Sequence, residues 1–410
     1  MNGQINGRKP RYAQITGWGM YVPERVVTND DISRIVDTSD EWIRSMTGIR
    51  ERHIAADARE TTATLAVRAA RSALRVAGVS PSQLGLIIVA TVTPEALFPS
   101  TASLVQDALG ARHSGAFDLS AGCSGFVYAL SLASDVVRAG STDHVLVIGS
   151  ETLSRITDWS DRNTCILFGD GAGAVVLSVC EEECGVLASV LGSDGSGGDL
   201  LTVPAGGSRC PPTLETVRNG DHYIKMNGRE VFRFATTVMP RATEAVVQKA
   251  GWQLAEIAQI VPHQANSRII EAAAKRLGFP EEKFFTNLDR YGNTSAASVP
   301  IALCEAIQQG RIRPDDKLVL VGFGAGLTWA AVALKWGMPS PAKRPIWFRR
   351  WMATVMVAWA RVRSAFLRIE RRAYDRVMGP VADNGARGRL RQQADRAREW
   401  VARRENNGPK

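Results

Sequence analysis

One pattern occurs twice in this chain, at a spacing of 170 residues. In each copy a turn, a glycine and a polar residue lead into an apolar helical stretch that ends at a second glycine. The matched positions are Gly122 with Gly292, Cys123 with Asn293, and Gly140 with Gly310. Such a repeat predicts two halves of similar architecture, which we expect to span residues 11–180 and 181–337. It also places one polar residue at an equivalent point of each half, where the two can face a common site.

Strand-like and helix-like segments alternate along both halves, which predicts an α/β fold. The β-branched runs Leu86–Thr93 and Val145–Gly149 are typical of strands that are buried on both faces. We also predict a helix over Thr236–Ala250, and glycine turns that enter strands at Gly169–Leu177 and Gly324–Leu334. A chain of 410 residues with 45% hydrophobic residues is long enough to bury a large core.

Charge is distributed unevenly along the chain. Residues 338–410 carry 18 Lys/Arg and 6 Asp/Glu, whereas residues 1–337 carry 32 and 35. Because the body is close to neutral, the overall charge of +9 does not indicate a nucleic-acid-binding protein. Residues 1–10 lack the apolar core of a signal peptide, and no run of about 18 apolar residues predicts a membrane span. We therefore expect a cytoplasmic protein.

The cysteines do not pair by spacing, which fits a reducing compartment. They are Cys123, Cys165, Cys180, Cys184, Cys210 and Cys304. Cys180 and Cys184 have the spacing of neighbours on a helix face, but glutamates fill the gap and no histidine is close in sequence. We therefore predict no zinc site there.

Cys123 lies between a strand-like segment and an apolar helical run, in Ser120-Ala-Gly-Cys-Ser-Gly125. This places the thiol near the start of a helix, where unpaired N–H groups and the helix dipole favour a thiolate. The flanking glycines permit close approach of another group. An isolated cysteine in an apolar setting is also typical of a buried core residue, and this stretch alone leaves both interpretations open.

Two further polar residues stand out: His263 in Val261-Pro-His-Gln-Ala-Asn266, and Asn293 in Tyr291-Gly-Asn-Thr-Ser295. A thiol needs a proton acceptor or a positive neighbour to attack an acyl carbon. An imidazole and an amide can donate hydrogen bonds to an oxygen that becomes negative. Each signal is weak alone, since a single histidine after a strand is often structural.

Together, in a duplicated α/β chain, these signals resemble the thiolase superfamily, and within it the β-ketoacyl-[acyl-carrier-protein] synthase III family. The resemblance covers residues 12–336. Its motifs, in the family's order, are Thr38-Ser-Asp-Glu-Trp-Ile43, Thr47-Gly-Ile-Arg-Glu-Arg-His53, Asp118-Leu-Ser-Ala-Gly-Cys-Ser-Gly125, Phe168-Gly-Asp-Gly-Ala-Gly173, Lys225-Met-Asn-Gly228, Val261-Pro-His-Gln-Ala-Asn266, Gly292-Asn-Thr-Ser-Ala-Ala-Ser298 and Gly322-Phe-Gly-Ala-Gly-Leu-Thr-Trp329. Elongating synthases resemble this fold but use a cysteine and two histidines. The family implies a thiolase fold of two pseudo-symmetric αβαβα halves that form a five-layered core.

The resemblance implies a two-step decarboxylative Claisen condensation that starts fatty acid biosynthesis. Cys123 would take the acyl group of an acyl-CoA as a thioester. Malonyl-acyl carrier protein would then lose CO₂, and His263 and Asn293 would hold the oxygen of the resulting enolate. The backbone N–H groups of Cys123 and Ala325 would form the oxyanion hole, although the family often has glycine at position 325. No metal or cofactor is implied beyond the two substrates.

The resemblance also implies a CoA site. Its residues are Trp42, Thr47, Arg162 and Asn266. Trp42 and Arg162 would flank the adenine, since an indole and a guanidinium suit a purine and a phosphate, and Asn266 would bind the pantetheine arm. The family commonly has arginine one residue before Thr47, where this chain has Met46.

Two surfaces are implied for protein partners. Phe98 resembles a residue that closes the acyl pocket of the neighbouring subunit, so we expect a homodimer. The predicted helix Ser267–Leu277 places several cations on one face, beside His263. The residues expected to dock the acidic acyl carrier protein are Arg233, Gln264, Arg268, Lys275 and Arg276. A solvated basic face without a partner would show the same pattern.

The C-terminal extension is unusual for the family. We predict a linker over 338–344 and a basic amphipathic tail over 345–410. The apolar stripe of the predicted helix over 345–378 comprises Trp347, Trp351, Val355, Trp359, Val362, Phe366 and Ile369. Arginines lie mostly off this stripe, as in helices that bind anionic membrane surfaces. A helix docked on the enzyme body or a self-associating helix would show the same pattern.

Two other functions remain open at this point. A related thiolase-fold condensing enzyme or acyltransferase of secondary metabolism would use the same residues with another primer. A non-catalytic scaffold anchored by its tail would not need an intact set of Cys123, His263 and Asn293. The chain length of the primer does not follow from the sequence, because residues far apart in the chain shape the pocket.

Overall fold

The computed structural model describes residues 10–337 and, further along the chain, Val362, Phe366, Ile369, Glu370 and Ala373. The strands within 10–337 are β1 (Tyr12–Tyr21), β2 (Val26–Thr28), β3 (Glu51–His53), β4 (Leu86–Ala90), β5 (Gly115–Leu119), β6 (His144–Thr152), β7 (Asp170–Cys180), β8 (Gly185–Ser193), β9 (Leu201–Thr202), β10 (Lys225–Met226), β11 (Ile257–Pro262), β12 (Lys317–Gly324) and β13 (Thr328–Lys335). The helices are α1 (Asn29–Ser33), α2 (Asp40–Thr47), α3 (Thr62–Ala77), α4 (Thr101–Leu109), α5 (Gly125–Arg138), α6 (Arg162–Cys165), α7 (Leu214–Arg218), α8 (Gly228–Lys249), α9 (Ser267–Leu277), α10 (Leu288–Tyr291) and α11 (Ser298–Gln308).

Two sheets form the framework of residues 10–337. The first has the strand order β1-β7-β6-β4-β5, with β4 parallel to both β5 and β6 and with β7 antiparallel to its neighbours. The second has the order β11-β12-β13-β8, with only β11 and β12 parallel. Every strand of the first sheet precedes residue 181 and every strand of the second follows it.

Helices cover both faces of both sheets. α5 and α11 lie between the sheets and contact strands of each. α3 and α4 pack on the other face of the first sheet, and α8 and α9 on the other face of the second. The order is therefore αβαβα, which confirms the five-layered α/β fold. Full burial of a side chain such as Phe126 or Leu130 in the middle layer contributes about 1.5–3 kcal/mol.

Side-chain caps set several predicted helix ends. The Thr61 hydroxyl accepts a hydrogen bond from the Thr64 N–H at the start of α3, and Gly78 ends that helix in a left-handed conformation. Ser39 caps α2 and Ser100 caps α4 in the same way. The helix predicted over Ser267–Leu277 is found with the same bounds as α9, where the Asn266 side chain caps its start.

Two predictions of local structure were wrong. α8 begins at Gly228, eight residues before the predicted Thr236, because Asn227 caps it and the helix continues through Pro240. The glycines of Gly169–Leu177 lie largely inside β7 rather than in a turn. Cys180 ends β7 and Cys184 precedes β8, so the two cysteines flank a turn and do not share a helix face.

The extension is described at only a few positions. Val362, Phe366 and Ile369, from the predicted apolar stripe, are helical and 64–68% exposed. The predicted linker and the rest of the tail lie outside the described residues. Among the residues that the structure describes, no helix combines the length and apolarity needed to cross a bilayer.

Substitution of Gly149 tests the packing of the middle layer. A Cβ at Gly149 in β6 would lie 2.2 Å from the backbone oxygen of Ala296, just before α11. We expect Gly149→Ala to lower the free energy of unfolding in urea by about 1–3 kcal/mol, since backbone must move to relieve the overlap. Gly207→Ala is the control, because nothing lies within 4 Å of its added Cβ. Equal stability of the two variants would contradict this packing.

Candidate active site

Cys123 lies in the 3₁₀ turn Gly122–Ser124, between β5 and α5, and is only 7% exposed. Gly122 has a φ of +55°, and a Cβ there would lie 2.8 Å from the Ala325 nitrogen. A Cβ at Gly324 would lie 3.0 Å from the Cys123 sulfur. Both glycines are therefore required for the close approach of the loop after β12 to the thiol.

Two backbone N–H groups converge on the thiol. The backbone N–H groups of Cys123 and Ala325 lie beside the Cys123 sulfur and lower the pKa of its thiol. Ala325 does not adopt a positive φ, so a side chain is tolerated where the family often has glycine. The Thr328 hydroxyl lies 2.8 Å from the Ala121 oxygen and 2.9 Å from the Ala325 oxygen, and so ties the two N–H-bearing segments together.

The thiol is neutral rather than ionised. Burial raises the pKa of Cys123 to about 11. The Ser295 hydroxyl, which lies beside the thiol without a well-aligned hydrogen bond, and the two N–H groups lower this pKa, while the charge of Glu151 raises it. The expectation of a thiolate stabilised by a helix start was therefore wrong, because desolvation outweighs the local dipoles.

His263 follows β11 and is 2% exposed. Its Nδ1 lies 2.6 Å from the Ser298 hydroxyl oxygen, at the start of α11, and its ring packs edge-on against Phe323. Burial lowers the pKa of His263 to about 3, so the imidazole is neutral. When the Ser298 hydroxyl donates to Nδ1, Nε2 carries the ring proton and acts as a donor.

Asn293 is 8% exposed and is fixed through its backbone. Its N–H donates to the Leu167 oxygen at 2.8 Å, and its oxygen accepts from the Gly169 N–H at 3.0 Å. Its side-chain Oδ1 accepts from the Ser295 N–H at 2.8 Å, which orients Nδ2 as the donor end. Ser295 has a φ of +47°, rare for a residue with a side chain.

Asn293 lies just ahead of a helix, as the repeat predicts. Asn293 precedes a second 3₁₀ turn, Ser295–Ala297, and α11 begins only at Ser298. This turn contacts the Gly122–Ser124 turn. The Ser295 hydroxyl of this turn lies beside the Cys123 sulfur. The Asn293 side chain accepts a hydrogen bond from the Ser295 N–H. The His263 ring lies within hydrogen-bond distance of the Ser298 hydroxyl. The segment 293–298 therefore joins the three predicted residues.

Glu151 is a site residue that the sequence analysis missed. Its carboxylate, fully buried in β6, accepts hydrogen bonds from Thr91 Oγ1 (3.1 Å), the Val92 N–H (3.1 Å), and Thr93 through both N–H (3.1 Å) and Oγ1 (2.7 Å). The Ala296 N–H lies 3.4 Å away. Burial raises the pKa of Glu151 to about 7. The sequence could have indicated Glu151 by its position near the carboxyl end of a predicted strand, because ligand sites of α/β proteins lie at those strand ends.

The expected CoA residues are engaged with one another or with the protein. The Arg162 guanidinium lies 4.5 Å from the centre of the Trp42 ring, and its Nη1 donates to the Asp37 oxygen. Asn266 caps α9, and its Nδ2 donates to the Met46 oxygen at 2.9 Å. Thr47 is 2% exposed.

The structure corrects the prediction that Thr47 faces CoA. Its hydroxyl donates to the Ile43 oxygen and accepts from the Ile49 N–H, so it closes the last turn of α2 instead of facing a ligand. Beside that turn lies a groove of about 460 Å³, lined by Glu41, Arg44, Ser45, Gly48 and Arg50.

Of the residues expected to dock an acyl carrier protein, four are exposed: Arg233, Arg268, Lys275 and Arg276. Arg233 is paired with Glu230 at 2.5 Å. Gln264 is 1% exposed and bonds to the Pro262 and Phe285 oxygens and the Asn287 N–H, so its assignment to a docking surface was wrong. Phe98 lies elsewhere, at an apolar loop tip, and is 84% exposed.

Comparison with known proteins shows which family of proteins this chain resembles in sequence. The family model of 3-oxoacyl-[acyl-carrier-protein] synthase III matches residues 117–195, and that of its C-terminal part matches 247–336. The β-ketoacyl-[acyl-carrier-protein] synthase III of Symbiobacterium thermophilum is 57% identical over 329 residues, which cover 80% of this chain and 99% of that protein.

Solved structures are similar to this chain in both sequence and fold. The 3-oxoacyl-[acyl-carrier-protein] synthase III of Aquifex aeolicus is 48% identical, with a TM-score of 0.74 over 79% of this chain and 100% of that one. The priming β-ketosynthase of the R1128 polyketide pathway is 36% identical, with a TM-score of 0.75 over 82% of this chain and 100% of that one.

The layered fold and the buried cysteine beside two backbone donors define a condensing enzyme of the thiolase fold. More narrowly, the chain belongs to the β-ketoacyl-[acyl-carrier-protein] synthase III family, as its motifs predicted.

Substitution of Glu151 tests its electrostatic effect on Cys123. Because the Glu151 charge raises the pKa of the thiol, Glu151→Gln should lower it. We expect iodoacetamide alkylation of Cys123 to reach half its maximal rate up to about one pH unit lower than in the wild type. Mass spectrometry of the Cys123 peptide across pH measures this. The exposed Glu215→Gln variant is the control, and an unchanged profile in Glu151→Gln would contradict the coupling.

Proposed function

We propose that this protein starts fatty acid biosynthesis by decarboxylative Claisen condensation of an acyl-CoA with a malonyl-acyl carrier protein. The observation that carries the proposal is the contact of the Cys123 sulfur with two backbone N–H groups, beside a turn that also positions Asn293 and His263. The names of relatives that are about half identical over four fifths of the chain support the same reaction.

In the first step, the Cys123 sulfur attacks the thioester carbonyl of the acyl-CoA. The carbonyl oxygen becomes negative and accepts hydrogen bonds from the N–H groups of Cys123 and Ala325, which are preorganised by Thr328. The thiol proton leaves with the sulfur of CoA. Because the pKa of Cys123 is about 11, the proton must move as the new bond forms.

In the second step, the malonyl thioester loses CO₂ and its oxygen becomes an enolate. Nε2–H of His263 and Nδ2–H of Asn293 donate to this oxygen. A pKa of about 3 keeps the imidazole neutral, so His263 acts as a hydrogen-bond donor and not as an acid. The enolate carbon attacks the acyl-Cys123 carbonyl, and the Cys123 sulfur leaves as a thiolate that takes up a proton from water to restore the neutral thiol.

CoA binding requires a rearrangement at Trp42. The Arg162 guanidinium covers the indole, so it moves aside when adenine stacks there. Arg44 and Arg50 line the neighbouring groove and are suited to phosphates. They compensate for the methionine at position 46, and Asn266 remains the proposed contact of the pantetheine arm.

The partners follow from the exposed surfaces. Arg233, Arg268, Lys275 and Arg276 form the proposed acyl carrier protein dock. The exposed tip at Phe98, with Leu97 at 83% exposure, supports a homodimer in which it closes the acyl pocket of the other subunit.

We propose that the chain has one half over 11–180, which carries the nucleophile, and one half over 181–337, which carries His263 and Asn293.

A second candidate is the priming condensation of secondary metabolism. The similarity to the R1128 priming β-ketosynthase favours it, since that enzyme shares the fold over its full length. The same residues would act with another primer, so the identity of the acyl-CoA distinguishes the two functions.

Acyl loading followed by intact mass spectrometry tests the reaction. After incubation with a panel of acyl-CoAs, the wild type should gain one acyl group and lose it when malonyl-acyl carrier protein is added. Cys123→Ser should gain none. His263→Ala should load and then retain the acyl group, because enolate stabilisation is lost.

Two outcomes would contradict this assignment. Loss of loading in His263→Ala would show that this residue mainly activates the thiol. Absence of loading in the wild type with every acyl-CoA would favour a non-catalytic scaffold. The exposed His113→Ala variant is the control and should behave as the wild type does.

We also propose that the enzyme is cytoplasmic and binds the inner membrane face through residues 345–378, beyond a linker at 338–344. Val362, Phe366 and Ile369, which are helical and exposed, share one helix face. Basic residues gain about 1 kcal/mol each near an anionic leaflet.

Deletion of residues 339–410 tests the membrane proposal. The full-length protein should sediment with phosphatidylglycerol vesicles, and the truncated protein should not, while condensation is retained. Phosphatidylcholine vesicles are the control for charge. Failure of the full-length protein to sediment with the anionic vesicles would refute the proposal.

A further inference from the structure

Two cysteines meet at the end of β7 that is remote from the active site. β7 begins beside Glu151, which pairs with Gly171, and ends at Cys180, which pairs with Tyr12. At about 3.3 Å per residue the strand separates the two ends by roughly 30 Å. Chemistry at Cys180 therefore takes place far from the acyl site.

The two sulfurs are already in contact. Sγ of Cys180 and Sγ of Cys184 lie 2.6 Å apart, across the turn Glu181–Glu183. The two sulfurs are therefore close enough to form a disulfide after a small movement of their side chains. The turn carries the chain from the first sheet to the second, so a bond between these sulfurs would link β7 to β8 covalently.

One cysteine of the pair packs against the rest of the protein, and the other is partly accessible to solvent. Cys184 is buried against Gln14, whose Oε1 lies 3.6 Å from its sulfur, and against the backbone at Gly337. Cys180 is half-buried. The hydrogen bond between the two thiols lowers the pKa of Cys184 and raises that of Cys180, so Cys184 is the thiol of the pair that ionises first.

The other buried cysteines are protected. Burial raises the pKa of Cys123 and Cys165 to about 11 and that of Cys304 to about 12. A thiol with such a pKa is almost entirely protonated near neutral pH and reacts slowly with disulfides. The catalytic thiol and the remote pair therefore differ in reactivity because of their surroundings.

The surroundings of the pair are acidic. Glu181, Glu182 and Glu183 are exposed in the turn. Asp315 and Lys335, both near Cys184, form an ion pair at 3.4 Å and add no net charge. Negative charge at the mouth of a site repels anions and concentrates cations. The charges thus favour cationic reagents over anionic ones.

We propose that Cys180 and Cys184 form a thiol–disulfide exchange site that takes small cationic disulfides. One thiolate attacks a sulfur of the small disulfide RSSR and releases RSH. The second cysteine attacks the resulting mixed disulfide and releases another RSH. The two cysteines are oxidised to one disulfide, RSSR is reduced to two RSH, and no further oxidant is needed.

Peptide mapping of the full-length protein tests the proposal. Cystamine is the cationic probe and glutathione disulfide the anionic one, each followed by alkylation of the remaining thiols. We expect the peptide with Cys180 and Cys184 to lose two hydrogens and resist alkylation, at least about tenfold faster with cystamine. Cys123 should remain a free thiol over the same time.

Variants of the turn test whether charge, rather than reagent size, causes the preference for cystamine. Single-cysteine variants test whether both thiols are needed. Replacing Glu181, Glu182 and Glu183 by glutamine should reduce the preference for cystamine. Cys180→Ser and Cys184→Ser should stop at a mixed disulfide on the remaining cysteine. The proposal is overturned if wild-type protein accumulates a mixed disulfide at the pair, if Cys123 reacts first, or if the two probes react equally fast.

Discussion

The contact between two short turns, Gly122–Ser124 and Ser295–Ala297, is the constraint on which the site depends. Each turn precedes a helix of the middle layer, and each sheet packs against both helices. The distance between the turns is therefore set by the whole five-layered core. Ser298 extends the second turn to His263, so a shift of either central helix would disturb all the reacting groups together.

Burial also decides the protonation states in this site. It keeps the Cys123 thiol and the His263 imidazole neutral, and it raises the pKa of Glu151. A site of neutral donors suits a reaction whose charge develops on substrate oxygens, because fixed N–H groups stabilise that charge without reorganising. The carboxylate of Glu151 is tolerated because backbone and hydroxyl donors from Thr91, Val92 and Thr93 satisfy it.

The same fold gives its cysteines opposite properties. Cys123 is enclosed by packed helices and by the loop that carries Ala325, and this burial keeps its thiol protonated. Cys180 and Cys184 lie at a turn between the sheets, where the sulfurs interact with each other and with exposed glutamates. Distance along β7 keeps the two chemistries separate.

The sequence by itself determined the α/β class and the family motifs that contain Cys123, His263 and Asn293, because periodicity and motifs are local signals. Only the tertiary structure decided their electrostatics, because desolvation depends on neighbours that are distant in the chain. It also showed that Thr47 and Gln264 are buried, that Glu151 is near enough to raise the pKa of Cys123, and that the sulfurs of Cys180 and Cys184 are in contact. These are contacts between elements, which no local pattern of residues specifies.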